Sequence, residues 1–259
     1  MATFLFHELV FGPVKSRRLG VSLGINLLPR KRKVCSFNCI YCECGWSDSV
    51  AGSDYDFPGI EEVEQHLRTR LAKLMQQQSA LDAITFAGNG EPTLHPAFPE
   101  IIDITLRLRD EYCPSARVAV LSNASRIGND KVFNALLKID LNILKLDAGT
   151  DTTCMLINNP EKSFKREETI NNLIRFNGKL IIQSLFFRGT FNGYEIDNTL
   201  PQEINQWYAD LAVIKPSLVM IYTIERDTPA KGLQKIPVSA LKEIAKKVNV
   251  LGIETQISG

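Results

Sequence analysis

Three cysteines, Cys35, Cys39 and Cys42, stand in the stretch Cys-Ser-Phe-Asn-Cys-Ile-Tyr-Cys, spaced C-x3-C-x2-C. Thiolates this close in sequence can converge on one metal centre from a single loop. Four cysteines ordinarily hold a cubic iron–sulfur cluster. Three leave one iron without a protein ligand, and an open coordination position is where metal chemistry takes place. The main rival is a structural zinc clip. Such sites pair C-x2-4-C with a second pair of cysteines or with two closely spaced histidines. The histidines here are His7, His66 and His95, far apart, and no second C-x2-C follows. A chance cluster of core thiols is a poorer account still, because the loop also carries the polar Asn38 and the aromatic Tyr41.

Something must hold that loop. Residues 1–18 read as an arm of mixed character, with a basic turn at Phe11-Gly-Pro-Val-Lys-Ser-Arg-Arg18. Leu19–Leu28 reads as a first strand ended by Pro29, and Arg30-Lys-Arg-Lys33 leads into the cysteines. After a Gly/Ser/Asp-rich connection, Pro58 opens a helix to about Gln78, with Ile60, Val63, Leu67, Leu71 and Leu74 at helical period. The pattern then alternates. Strands are expected at 82–87, 117–123, 141–147, 179–187, 218–224 and, last, 251–257. Helices are expected at 96–112, 130–139, 164–176, 201–214 and 238–248. Such alternation implies βαβ units and a parallel sheet. It fits a closed or partly open barrel and a doubly wound open sheet equally well. Either way the chain reads as one domain over 1–259, with the α/β core at about 19–250, and no repeat or linker is visible.

In parallel α/β folds ligands sit outside the carboxyl ends of the strands. The cysteine loop follows the first strand. The second is followed by Gly88-Asn89-Gly90-Glu91, where the glycines allow positive φ or close backbone approach. That turn either caps the next helix or meets a ligand through Glu91. Asn123, ending the third strand, is either an Asx-turn residue or a ligand contact. In the fourth strand a period of two puts Ile143, Lys145 and Asp147 on one face. Two charges there form either a structural ion pair or part of a site. Gln183 interrupts an apolar strand, and a buried amide must be hydrogen-bonded, to backbone or to a ligand.

The C-x3-C-x-aromatic-C signature, with Tyr41 as the aromatic, resembles that of the radical S-adenosylmethionine (SAM) enzymes. The resemblance implies an α/β fold, a partial (β/α)6 barrel, rather than the doubly wound sheet. It implies a [4Fe-4S] cluster on Cys35, Cys39 and Cys42, whose free iron chelates SAM. It implies reductive cleavage of SAM to a 5′-deoxyadenosyl radical, and hence an external one-electron donor of flavodoxin or ferredoxin type. The turn Gly88–Glu91 resembles the family's Gly-Gly-Glu motif at the methionine end of SAM, and Tyr41 would sit at the adenine. Asn123, Asp147 and Gln183 would lie around SAM, and Lys145 and Arg226 would contact SAM or substrate. Phe11–Gly20, Gly90-Glu-Pro-Thr93 and Tyr222–Gly232 further resemble the subgroup that includes the wybutosine-pathway tRNA enzymes. Arg17, Arg18 and Glu225 are further candidates there. Those tRNA enzymes carry a second cluster with N-terminal cysteines. No cysteine precedes Cys35 here, Cys113 is expected at the far end of the fold, and only Cys44 and Cys154 could reach the site. A second cluster is therefore expected to be absent.

Composition narrows the rest. With 30 Lys and Arg against 29 Asp and Glu, the net charge is +1, which gives no global field for nucleic acid or membrane. Apolar runs are far shorter than a spanning helix needs, and the N-terminus has no signal-peptide pattern. Clustered thiols and this composition point to a reducing, cytoplasmic setting. A local basic patch, Lys15, Arg17, Arg18 and Arg30–Lys33, is a solvated turn, an RNA footprint or a site for an acidic metabolite. The substrate class, small molecule, RNA or protein, stays open. The functional alternatives are a radical SAM oxidoreductase or transferase, a wybutosine-type tRNA enzyme, a glycyl-radical-enzyme activase, and a non-catalytic metal-binding module.

Overall fold

The computed structural model describes residues 4–47 and 55–259. Most of the Gly/Ser/Asp-rich connection after the cysteine loop lies outside the described residues. Strands β1 (Val10–Ser16) and β2 (Gly20–Ile25) form a hairpin, so the segment expected to be a bare arm contributes a strand. Helix α1 (Ile60–Gln76), β3 (Ala83–Phe86), α2 (Phe98–Tyr112), β4 (Arg117–Ser122), α3 (Asp130–Leu136) and β5 (Leu141–Lys145) follow. Then come α4 (Asp151–Asn158), α5 (Arg166–Ile174), β6 (Ile181–Phe191) and β7 (Tyr194–Asp197). The chain finishes with α6 (Pro201–Ile214), β8 (Leu218–Thr223), β9 (Leu233–Lys235), α7 (Val238–Val250) and β10 (Glu254–Ser258).

The sheet order is β1-β2-β3-β4-β5-β6-β8-β10, parallel from β2 onward, with β1 antiparallel at one edge. The two edges do not pair, so this is an incomplete α/β barrel and not a closed one. The far half of β6 leaves the main sheet and pairs antiparallel with β7 and β9, two strands with no signal in the apolar pattern. The eight-residue α4 also escapes the periodicity reading, although Thr150 caps its start and Asn159 ends it in the left-handed region at φ 39°.

Alternation along the strands sorts the side chains. One face packs with the helices into the large core, where α1 buries Val63, Leu67, Leu71 and Leu74. Burying each such leucine contributes roughly 1.5–3 kcal/mol. The other face carries a small apolar layer of Leu19, Ala83, Ala119, Ile143, Ile181 and Met220. Two residues further along three of those strands come Lys145, Gln183 and Tyr222, on the same face and nearer the carboxyl ends. The apolar layer is thus the floor of whatever site opens above it.

Candidate active site

The cysteine loop is stitched to its surroundings by backbone. Val34 bridges to Gly90, with Val34 N–H donating to Asn89 O at 2.8 Å and Glu91 N–H to Val34 O at 3.1 Å. Gly90 has φ +135°, and a β-carbon there would overlap the Val34 carbonyl. Its glycine is therefore required by loop packing. At the other end Asn38 N–H donates to Asn158 O and Ile40 N–H to Ile157 O, both at 3.0 Å. The loop hangs between the turn after β3 and the end of α4.

Cys35, Cys39, Cys42 and Cys44 all line one cavity of about 330 Å³ at the carboxyl ends of the strands. Lys33 is buried beside them at 3% exposure, its Nζ donating to Gly45 O at 2.8 Å. Burial alone would lower its pKa, but Cys42, Cys35 and Cys39 outweigh that and keep it raised. A buried ammonium needs anionic neighbours, which is why Lys33 belongs to the thiols and not to the surface basic patch. Arg18 leaves the patch too and lines the cavity, while Arg30 pairs with Glu62. The expected patch is thus dispersed, because the chain turns its cations toward separate partners.

The thiols differ. Burial pushes Cys35 and Cys39 up. The hydrogen bond with Cys44 brings Cys42 down to about 5, with Lys33 acting in the same direction. The Cys44 thiol itself is pushed up by that bond and by burial, and it donates to Gly88 O at 3.4 Å. Side-chain amides face two of the sulfurs. Asn123 Nδ2 lies 3.5 Å from Cys35 Sγ, and Asn158 Nδ2 lies 3.5 Å from Cys39 Sγ. Phe37 N–H adds a donor to Cys35 Sγ at 3.4 Å. Among the described residues no three His, Cys, Asp or Glu side chains converge on a point that would hold a single metal ion. A cluster asks for something else, each thiolate on its own iron, with charge balance and N–H donors to sulfur. The donor set around this cavity fits that requirement.

The turn expected to touch a ligand is largely occupied with the protein itself. Glu91 is 2% exposed and its carboxylate accepts from Thr93 N–H (3.1 Å), Thr93 Oγ1 (2.5 Å), Ser122 Oγ (2.8 Å) and Asn123 N–H (2.6 Å). It caps the short 3-10 turn Pro92–Leu94 and ties β3 to β4. Burial raises its pKa in spite of those four donors. Asn89 is fully buried behind the cavity, bonded to Phe6 and Pro29. Asp147 also sits behind the wall. It accepts from the Tyr41 hydroxyl, from Asn158 Nδ2 (3.0 Å) and from Leu185 N–H (2.9 Å), and it pairs with Lys145 at 3.4 Å. The structural ion pair is therefore present, and it presents Lys145 to the cavity. Burial would lower the Lys145 pKa, but Asp147 and Tyr222 hold the ammonium above its usual range.

Tyr41, Gly88, Gly90, Glu91, Asn123, Lys145, Gln183 and Arg226 all line the cavity, and Arg226 reaches its rim paired with Glu43 at 2.7 Å. The residues that strand positions alone did not assign are Lys33, Asn158, Cys44 and Tyr222. Asn158 had a signal in the Thr150 cap and the Asn159-Pro160 stop that frame α4. Lys33 had none, since its burial depends on the loop's return past Gly45.

The chain is 32% identical over 219 residues to the GTPase Obg of Brachyspira hyodysenteriae, covering 85% of this chain and 30% of that one. It is 33% identical over 181 residues to the UPF0026 protein MJ1312 of Methanocaldococcus jannaschii, covering 68% of this chain and 53% of that one. The chain thus spans about half or less of the length of these relatives. Among solved structures it is similar to a radical SAM methyltransferase from Sphaerobacter thermophilus, with TM-score 0.67, 13% identity, and coverage of 92% and 65% of the two chains. It is also similar to archaeal TYW1, with TM-score 0.54, 14% identity, and coverage of 88% and 71%. At such identities these structures show the fold alone. The model of the Radical SAM superfamily matches residues 33–192, more than half of the chain and the segment that carries all three cysteines, and this protein belongs to that superfamily.

Proposed function

We propose that this chain is a radical SAM enzyme in which Cys35, Cys39 and Cys42 hold a [4Fe-4S] cluster with one iron left for SAM. The observation that carries the reading is the set of three thiols on one wall of one cavity, with Lys33 buried among them. A cluster held by Cys35, Cys39 and Cys42 would supply, when bound, one electron for reductive cleavage of SAM. The protein's own part is arrangement. Lys33 offsets thiolate charge, and Asn123 and Asn158 orient the sulfurs through N–H donors. Tyr41, Gly88, Gly90, Asn123 and Gln183 are assigned to SAM contact, since each lines the cavity. Asn89, Glu91 and Asp147 act by holding those groups in place. Cys44 is assigned no ligand role, its thiol being engaged with Gly88 and Cys42.

The electron comes from an external one-electron donor of the flavodoxin or ferredoxin type. The reaction belongs to the oxidoreductase or transferase class. Among the described residues no helix is long and apolar enough to cross a membrane. The test is anaerobic reconstitution with iron and sulfide, then dithionite and SAM in a long incubation. About four irons and four sulfides per chain, and 5′-deoxyadenosine as product, are expected. One zinc per chain with no iron–thiolate absorbance establishes the metal-clip reading instead.

A further inference from the structure

The cavity has a second polar wall, set against the apolar layer and built from a different part of the chain. The tip of the β1–β2 hairpin packs Leu19 into the apolar floor and brings Arg17 and Arg18 to the end of β8. Arg17 pairs with Glu225 at 3.7 Å, and the Arg18 guanidinium lies over the Tyr222 ring at 4.7 Å. The Gln183 amide has its oxygen toward Arg18, since only then does it accept from both guanidinium nitrogens and from the Tyr222 hydroxyl at 3.3 Å. Lys145 Nζ in turn donates to Tyr222 Oη at 3.2 Å. One continuous chain of donors therefore runs from Lys145 through Tyr222 to Gln183, and Arg18 closes it from the far side.

The charges on this wall do not balance. Arg17 has Glu225, Arg226 has Glu43, and Lys33 has the thiols. Lys145 has Asp147, whose oxygens already serve Tyr41, Asn158 and Leu185. Among the described residues Arg18 alone of the cavity-lining cations has no anionic partner. Its fixed contacts, a ring face and one amide oxygen, hold the fork in place without neutralising it. The Arg18 guanidinium is half-buried at the cavity wall and open to a ligand there, and a planar guanidinium pairs best with a carboxylate or a phosphate.

We infer that Arg18, held by Tyr222 and Gln183 and backed by Lys145, is the anchor for an anionic oxygen group on the substrate, placing that group in the cavity that the cysteines also line. The inference takes the cavity to be the substrate site of the reaction proposed above, but its test needs no turnover. Phosphate and carboxylate substrates share this chemistry, so inorganic phosphate and malonate serve as separate probes.

The experiment is calorimetric titration of the reconstituted protein, kept anaerobic, with each probe. Wild type is expected to bind at least one of them. Arg18→Gln should weaken that binding about tenfold or more, the usual worth of one charge-assisted hydrogen bond. Arg18→Lys, which keeps the charge but loses the fork, should recover part of it, and this guards against a simple folding defect. Lys246→Gln, an exposed substitution on α7, should change nothing. The preferred probe names the anion class. Binding must persist in wild type saturated with SAM. Competition between SAM and the probe overturns the inference, because it gives Arg18 to the SAM carboxylate. Equal affinity in wild type and Arg18→Gln, or no binding of either probe, overturns it as well. Failure of the enzyme reading looks different, since probe binding then stands while SAM is neither bound nor cleaved.

Discussion

Gly90→Ala separates two reasons for a glycine beside the cysteines. If Gly90 serves only to let a ligand approach, alanine should weaken SAM binding and leave the loop intact. The structure gives it a role in the loop besides its place in the cavity lining. A side chain at φ +135° costs about 1–3 kcal/mol of backbone strain. The new β-carbon would also overlap the Val34 carbonyl oxygen, which is backbone and has no rotamer to yield. Moving Val34 away breaks the 2.8 Å and 3.1 Å hydrogen bonds to Asn89 and Glu91, at about 1 kcal/mol each. The sum is about 3–5 kcal/mol, a large part of the roughly 5–15 kcal/mol that holds a domain together. The segment next to Cys35 should give way first. Anaerobic reconstitution of Gly90→Ala is therefore expected to yield well under half of the wild-type iron, with a lower urea midpoint. Gly88→Ala is the control. Its β-carbon would meet the Asn26 side chain, which can shift, though it accepts from Leu28 N–H and Asn89 N–H. Overpacking of that kind costs about 1–3 kcal/mol, and iron loading should survive. Full iron and an unchanged midpoint in Gly90→Ala refute the packing argument.

Three further outcomes are expected. Asn158→Leu removes the amide that faces Cys39 Sγ; losing one hydrogen bond of about 1 kcal/mol should lower the cluster's reduction potential by roughly 40 mV, read in an EPR-monitored titration. Cys44→Ser should retain the full iron and sulfide content, whereas alanine at Cys35, Cys39 or Cys42 should not; a lost iron in Cys44→Ser would make Cys44 a ligand. His95 is buried and neutral, with Nε2–H donating to Pro58 O (2.9 Å) and Nδ1 accepting from Ala97 N–H (3.1 Å), and burial holds its pKa below the usual 6.5. A depressed folded pKa means the unfolded chain takes up the proton first. Its stabilisation is full above about pH 6.5 and is lost as pH falls through the folded value, so urea midpoints of wild type should drop on acidification more steeply than those of His95→Gln.

The cysteine spacing and the strand–helix alternation were legible in the chain itself, because thiolate geometry depends on local spacing and apolar periodicity records which face is covered. Those two patterns located the loop after the first parallel strand and gave every parallel strand within a few residues. The strand period of two also put Lys145 on the right face, beside Ile143. What the residues left open was decided by long-range contacts. Asp147, expected on that same face, lies just past the end of the strand and is held behind the wall by Asn158 and by the distant Tyr41. Lys33 reads as one of four basic residues in a row and proves to be the buried counterion of the thiols. Arg18 reads as part of an exposed turn and reaches into the cavity, because Leu19 beside it packs into the apolar floor. Local pattern records what each residue needs, an apolar face, a turn or a metal. Which distant group meets that need is set by the path of the backbone in three dimensions, and a charge's role follows from its partner.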